Sequence, residues 1–206
     1  MHQRKKTETI QIYLIKKWPM DALCTNIRNA LEKPVVMIGL MGAGKTKIGA
    51  LLAKALGLPF IDADIEIEKA AGMTIAEMFE TRGEPAFRDL ERAVMARLLS
   101  GGMCVIATGG GAVMNAQTAA LVWEKSLAVW LKADLDVLAE RTGRSNKRPL
   151  LRNGDPREIL GALMDKRYPV YALSHVVVDT DAAEPEVTLQ RALDALAAHF
   201  DIKEQA

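Results

Sequence analysis

Cysteine is scarce. Cys24 and Cys104 are the only two in 206 residues, too few for a disulfide framework. Cys104 lies in the apolar run Met103-Cys104-Val105-Ile106-Ala107 and reads as a buried small hydrophobe. A reducing cytoplasm is the simplest compartment for such a chain. Long apolar runs are missing too: none approaches the roughly 20 residues needed to cross a bilayer. Net charge is nearly absent at +1, so no global field points to nucleic acid or to a membrane surface. Internal repeats and low-complexity tracts are also lacking. Half of the residues are apolar, enough for a substantial core, and the length suits one domain.

The first 33 residues differ in character from the rest. Residues 1–19 carry Arg4, Lys5, Lys6, Lys16 and Lys17 against a single acid, Glu8. Their apolar stretch, Ile10 to Ile15, is too short for a secretory signal, and no small-residue cleavage site follows. Residues 1–19 read as a dispensable, disordered arm, and 1–33 as an extension ahead of one domain over 34–200. Met20 is a candidate start, because a helical pattern of Leu23, Ile27, Ala30 and Leu31 begins just after it.

What the chain does have is Gly39-Leu40-Met41-Gly42-Ala43-Gly44-Lys45-Thr46, the G-x-x-x-x-G-K-[ST] phosphate-binding loop. Its glycines let the backbone turn tightly and aim N–H groups at phosphate oxygens, here from Gly42, Ala43 and Gly44. Lys45 brings a positive charge to the outer phosphates, and the Thr46 hydroxyl can ligate magnesium. The flanks agree. Pro34 to Ile38 is an apolar run typical of a buried parallel strand. Ile48, Leu51, Leu52, Ala55 and Leu56 recur at helical spacing until Gly57 stops the helix. A phosphate would sit at that helix N-terminus, where free N–H groups and the helix dipole favour an anion.

Strand and helix signals alternate beyond the loop. The patterns predict strands at 34–38, 59–63, 103–108, 127–131 and 176–179. Helices are expected at 45–56, 65–71, 75–81, 85–99, 115–124, 134–142, 156–168 and about 185–199. Thr74 and Glu77 have capping-box spacing, and Asn115 and Asp134 are plausible N-caps. Strands joined through helices make a parallel α/β sheet with helices on both faces. Ligands bind beyond the C-terminal strand ends of such sheets.

Further constellations carry chemistry. In Phe60-Ile61-Asp62-Ala63-Asp64, two acids at spacing 2 leave a strand on one face. Asp62 can hold magnesium through water and Asp64 can accept hydrogen bonds from a substrate alcohol; the plainer alternative is that Asp64 caps a helix starting at Ile65. Gly109-Gly110-Gly111 after the third strand suits close approach of a ligand to the backbone. Residues 141–157 hold Arg141, Arg144, Lys147, Arg148, Arg152 and Arg157 against Asp155 alone, bracketed by Gly143 and Gly154. That run reads as a lid over nucleotide phosphates at about 144–157, or else as a solvated charge run or nucleic-acid patch. Arg88 beside Glu91 is an exposed intrahelical ion pair by pattern alone; the functional reading is an arginine held by Glu91 and aimed at a carboxylate. Arg167 shares a helix side with Leu160, Leu163 and Met164.

Together these pieces resemble the shikimate kinases over about residues 34–199. The motifs stand as Gly39–Thr46, Asp62–Asp64, Phe87–Glu91, Gly109–Gly111, Arg148–Leu151 and Arg167–Tyr171. The resemblance implies a three-layer P-loop NTPase fold of the nucleoside-monophosphate-kinase type, with five parallel strands ordered 2-3-1-4-5 and a lid. It implies transfer of the ATP γ-phosphate to the 3-hydroxyl of shikimate, with magnesium at Thr46 and Asp62. It places Asp64, Arg88, Gly110 and Arg167 on shikimate, flanked by Gly109 and Gly111, and Lys45 and Arg148 on the phosphates. Asp64 is expected to orient the attacking hydroxyl or take its proton, alongside Lys45 and Arg148 in catalysis. One position departs from the commoner pattern: Lys47 stands where many members carry Ser or Thr, although its backbone N–H remains available to the α-phosphate. Arg141 is the further expected nucleotide contact. The expected protein is a cytoplasmic monomer binding ATP and shikimate, with no nucleic-acid or membrane partner. The alternatives are another kinase of the fold, such as a gluconate kinase, and a nucleotide-binding regulator without phosphotransfer. The Phe87-Arg88 and triple-glycine combination argues against the first, and intact Lys45, Thr46, Asp62, Asp64 and Arg148 against the second.

Overall fold

The computed structural model describes residues 20–143 and 155–202. Its centre is β1 (Val35–Ile38), buried on both faces as a middle strand of a parallel sheet must be. β3 (Val105–Ala107) pairs on one side, with Val35 opposite Val105, and β4 (Leu127–Ala133) on the other, with Val35 opposite Leu127. β2 (Phe60–Asp62) and β5 (Val176–Thr180) close the edges, giving the parallel order β2-β3-β1-β4-β5. This is the order that the family resemblance implies.

Helices α1 (Met20–Ala30), α2 (Lys45–Leu56) and α8 (Pro185–His199) pack together on one face. α4 (Ile75–Leu99), α5 (Ala116–Lys125) and α7 (Pro156–Tyr171) lie on the other, while α3 (Ala63–Ala71) follows β2 and α6 (Leu135–Gly143) follows β4. Among the described residues, no helix is long and apolar enough to cross a membrane.

Local signals set most boundaries. Gly57 ends α2 in the left-handed conformation at φ 61. Thr74 and Glu77 form the reciprocal capping box, and the Asn115 side chain accepts from the N–H groups of Gln117 and Thr118. Several boundaries differ from expectation: α7 runs on to Tyr171 and β4 to Ala133, and β3 spans only Val105–Ala107. The helices predicted at 75–81 and 85–99 run together as α4, with a break at Gly83 (φ 77, ψ 173) just ahead of Pro85. β2 ends at Asp62, and the chain turns at once into α3. Residues 20–31, read as part of an extension, belong to the core: Leu23, Ile27 and Leu31 are buried in the same apolar cluster as β1 and α2. Their helical spacing supplies the stripe that α2 and α8 need covered.

Candidate active site

The phosphate loop joins the C-terminal end of β1 to α2. Gly39, Gly42 and Gly44 have φ 143, 87 and 96, values open to glycine and strained for other residues. The Lys45 ammonium folds back across the loop and donates to the carbonyls of Gly39 (2.9 Å) and Leu40 (3.0 Å). At the same mouth, the Thr46 hydroxyl donates to the Asp62 carboxylate at 3.1 Å. One hydroxyl and one carboxylate form a hard-oxygen pair. That suits magnesium, which keeps several waters and takes its remaining ligands from phosphates.

Asp62 has a second task. Its other carboxylate oxygen accepts from the Asp64 N–H at 3.1 Å, so Asp62, and not Asp64, is the N-cap of α3. This corrects the expected geometry of the pair and the expected cap at Asp64. The two acids do not leave one strand face, because Asp64 already lies in the first helical turn. Burial is the main cause that raises the Asp64 pKa above its ordinary 3.8; the neighbouring Asp62 charge adds to it and Lys45 opposes it.

The three glycines after β3 gather the remaining residues. A methyl group on Gly109 would come within 2.9 Å of the Asp64 carboxylate. On Gly110 it would lie 3.2 Å from Arg167 Nη1, and on Gly111 2.9 Å from Arg88 Nη2. Gly111 has an ordinary φ of −104, so the need there is for space rather than for conformational freedom. The structure therefore brings Asp64, Arg88 and Arg167 against one short loop from three different helices.

Each cation is held. Arg88 Nη1 donates to Glu91 at 2.7 Å, while Nε and Nη2 both reach Glu84. Glu91 is only 2% exposed, so this pair is not the exposed one that the pattern suggested. Burial pushes the Glu91 pKa up, against the pull of Arg88. Burial also works against the Arg88 cation, but Glu91 and Glu84 outweigh it and raise its pKa. Arg92 turns away to a surface pair with Asp89 at 3.7 Å. Arg167, half-buried, donates to the Gly110 carbonyl at 2.9 Å.

Arg141 stands apart on the other side of the loop. It donates to the Gly42 carbonyl (3.2 Å), the Thr180 hydroxyl (3.3 Å) and the Asp181 carbonyl. A cavity of about 180 Å³ opens there, lined by Gly42, Gly44, Lys47, Arg141, Thr180 and Pro185. Arg148 and the greater part of the predicted lid lie outside the described residues. Of the rest of that run, Asp155 N-caps α7 by accepting from the Arg157 N–H, and the Arg157 guanidinium pairs with Asp136.

Four features escaped the sequence reading. Glu84 shares Arg88 with Glu91. Phe79, 39% exposed, stacks on Phe87 at 4.7 Å beside the Arg88 guanidinium. Thr180 and Pro185 line the cavity at Arg141. Tyr171 donates its hydroxyl to the Gly110 carbonyl. Only Tyr171 had a signal, as the last residue of the Arg167–Tyr171 motif.

A sequence model of the shikimate kinase family matches residues 41–197. The chain belongs to that family. A shikimate kinase of Brucella canis is 55% identical over 175 residues, 85% of this chain and 87% of the relative. One of Mesorhizobium japonicum is 47% identical over 188 residues, 91% of this chain and 93% of the relative. Among solved structures, a shikimate kinase from Acinetobacter baumannii in complex with shikimate gives a TM-score of 0.78 at 34% identity. That match covers 83% of this chain and 96% of the other.

Proposed function

We infer that this chain transfers the γ-phosphate of ATP to the 3-hydroxyl of shikimate, giving shikimate 3-phosphate and ADP. The observation that carries this reading is the gathering of Asp64, Arg88 and Arg167 against Gly109–Gly111, beside the mouth of the phosphate loop. Two guanidinium groups suit the single carboxylate of shikimate, and one carboxylate suits its hydroxyls.

The Gly42–Lys47 backbone and Lys45 cradle the nucleotide phosphates, and Arg141 and Lys47 bind at the cavity side. Thr46 and Asp62 would hold magnesium, which neutralises charge on the phosphate oxygens when bound. The acceptor hydroxyl oxygen forms the new bond to the γ-phosphorus as the bond to the ADP oxygen breaks. Asp64 accepts a hydrogen bond from that hydroxyl and fixes its direction; its raised pKa also suits it to receive the proton. Arg148, carried by the basic run 144–157, adds positive charge from the lid side and excludes water. The protein acts as a cytoplasmic monomer in this reading.

A coupled assay of ADP release, with and without shikimate, tests it. The expected result is release that depends on shikimate and on magnesium. Release only with gluconate supports a different kinase of the fold, and no release with either acceptor supports a nucleotide-binding regulator.

A further inference from the structure

Tyr171 is fully buried. It packs against Trp130 at 5.9 Å and Tyr168 at 6.1 Å, in an aromatic cluster that fastens the end of α7 to β4. A phenylalanine would make the same ring contacts without burying a hydroxyl, which is costly unless bonded. The partner of that hydroxyl is the carbonyl of Gly110.

The same carbonyl accepts from Arg167 Nη1 at 2.9 Å. A carbonyl oxygen has two lone pairs, and these two donors satisfy both. Arg167 and Tyr171 are four residues apart on α7, hence neighbours on one helical face. The peptide unit between Gly110 and Gly111 is planar, so fixing its carbonyl also fixes the Gly111 N–H on the opposite side. Gly111 is the residue against which Arg88 lies, while a methyl group added to Gly110 would lie 3.3 Å from the Gly39 carbonyl and 3.5 Å from the Met41 nitrogen of the phosphate loop. One peptide therefore meets the phosphate loop, Arg88 and Arg167 together.

We propose that Tyr171 is a positioning residue: its hydroxyl holds the Gly110 carbonyl so that Arg167, Arg88 and the Gly110–Gly111 peptide face one carboxylate of the acceptor. The proposal rests on the reading of Arg88 and Arg167 as the carboxylate site. Burial pushes the Tyr171 pKa up to about 12 against the opposing charge of Arg167, so the group remains a donor throughout the working pH range. Arg167 reaches Gly110 through one terminal nitrogen, Nη1, and a guanidinium has further N–H donors to offer a carboxylate.

The test compares wild type with Tyr171→Phe on two acceptors, shikimate and the analogue in which its carboxylate is reduced to an alcohol. The expected result is about a tenfold rise in the shikimate KM, the size of one lost hydrogen bond. The ATP KM should stay within twofold, and kcat/KM for the alcohol should be unchanged. If wild type and variant discriminate equally between the acceptors, or if both acceptors lose equally, the proposal is overturned. If wild type itself shows no preference for the carboxylate, the carboxylate-site reading falls with it. A wild-type measurement stands apart from the variant's folding. The Tyr171 hydroxyl proton should appear by NMR as a slowly exchanging resonance coupled through space to Gly111, shifting when shikimate is added. A hydroxyl that exchanges at solvent rate overturns the proposal.

Discussion

The nucleotide half and the acceptor half of the site are built in opposite ways. The nucleotide half has a contiguous core, Gly39–Thr46, whose backbone conformation and lysine lie within a single turn between β1 and α2. The acceptor half has no contiguous core. Asp64 comes from α3, Arg88 from α4 and Arg167 from α7, and all three meet at the loop after β3. A phosphate asks for N–H groups and positive charge, which one loop can supply. A small acid with several hydroxyls asks for groups converging from different directions, which only an assembled fold can supply. The two halves should therefore fail separately.

The largest expected effect is on the nucleotide side. Lys45→Met should keep a cooperative melt and lose turnover by orders of magnitude, because Lys45 is the charge that the loop itself places beside the transferring phosphate. Turnover near that of wild type would break the assignment.

Next comes Arg88→Ala. Losing a carboxylate partner in a dry pocket costs about 2 to 5 kcal/mol, so the shikimate KM should rise strongly while the ATP KM holds. The same change strands Glu91, and removing one member of a buried pair costs about 3–5 kcal/mol of stability. Glu91 already titrates above 4.5, and without Arg88 it should titrate higher. A carboxylate with a raised folded pKa takes up a proton in the folded state first. The variant should thus regain stability as pH falls through that raised value toward 4.5. Arg88→Ala combined with Glu91→Gln should recover the melt but not the KM. Recovery of both would show that Arg88 serves only the fold.

Asp64→Asn separates function from stability. Its charged form is disfavoured by burial and by Asp62, so the ionised wild type is less stable than it would be without that charge. The variant should lose activity yet melt higher at pH 7. That gain should persist above the raised Asp64 pKa and vanish as pH falls toward 3.8. An equal or lower melt at pH 7 would remove the electrostatic account of this residue.

The smallest effect on catalysis is expected furthest from both halves. Ile27→Ala should cost about 2–5 kcal/mol of stability, since the side chain is wholly buried between α1 and its neighbours. Both KM values should stay near wild type at a temperature where the variant is folded. A selective change in either would show that α1 communicates with the site.

These two modes of construction also explain what the sequence revealed. The phosphate loop, the helix stop at Gly57 and the caps at Thr74 and Asn115 are local, and each was legible from residue types a few positions apart. The triple glycine was legible as an oddity. Its reason was not, because the atoms that forbid a side chain come from α3, α4 and α7. That Asp62 and not Asp64 caps α3 depends on where β2 stops, which either acid could have set by capping. The burial that turns Arg88–Glu91 from a surface pair into a support is tertiary, and so are the roles of Glu84, Phe79, Thr180 and Pro185. α1 was visible as a helical pattern. Its membership in the core was hidden by the basic residues just ahead of it, which gave the first 33 residues one apparent character.

The most direct test of this distributed acceptor site is a binding titration on Gly111→Ala. The three atoms nearest the added methyl would all belong to the Arg88 guanidinium, with its terminal nitrogens at 2.9 Å and 3.2 Å. Calorimetry with shikimate and, separately, with the magnesium–ATP complex should show the shikimate Kd rising while nucleotide affinity stays within twofold of wild type. An unchanged shikimate Kd, or an equal loss for both ligands, would contradict the account.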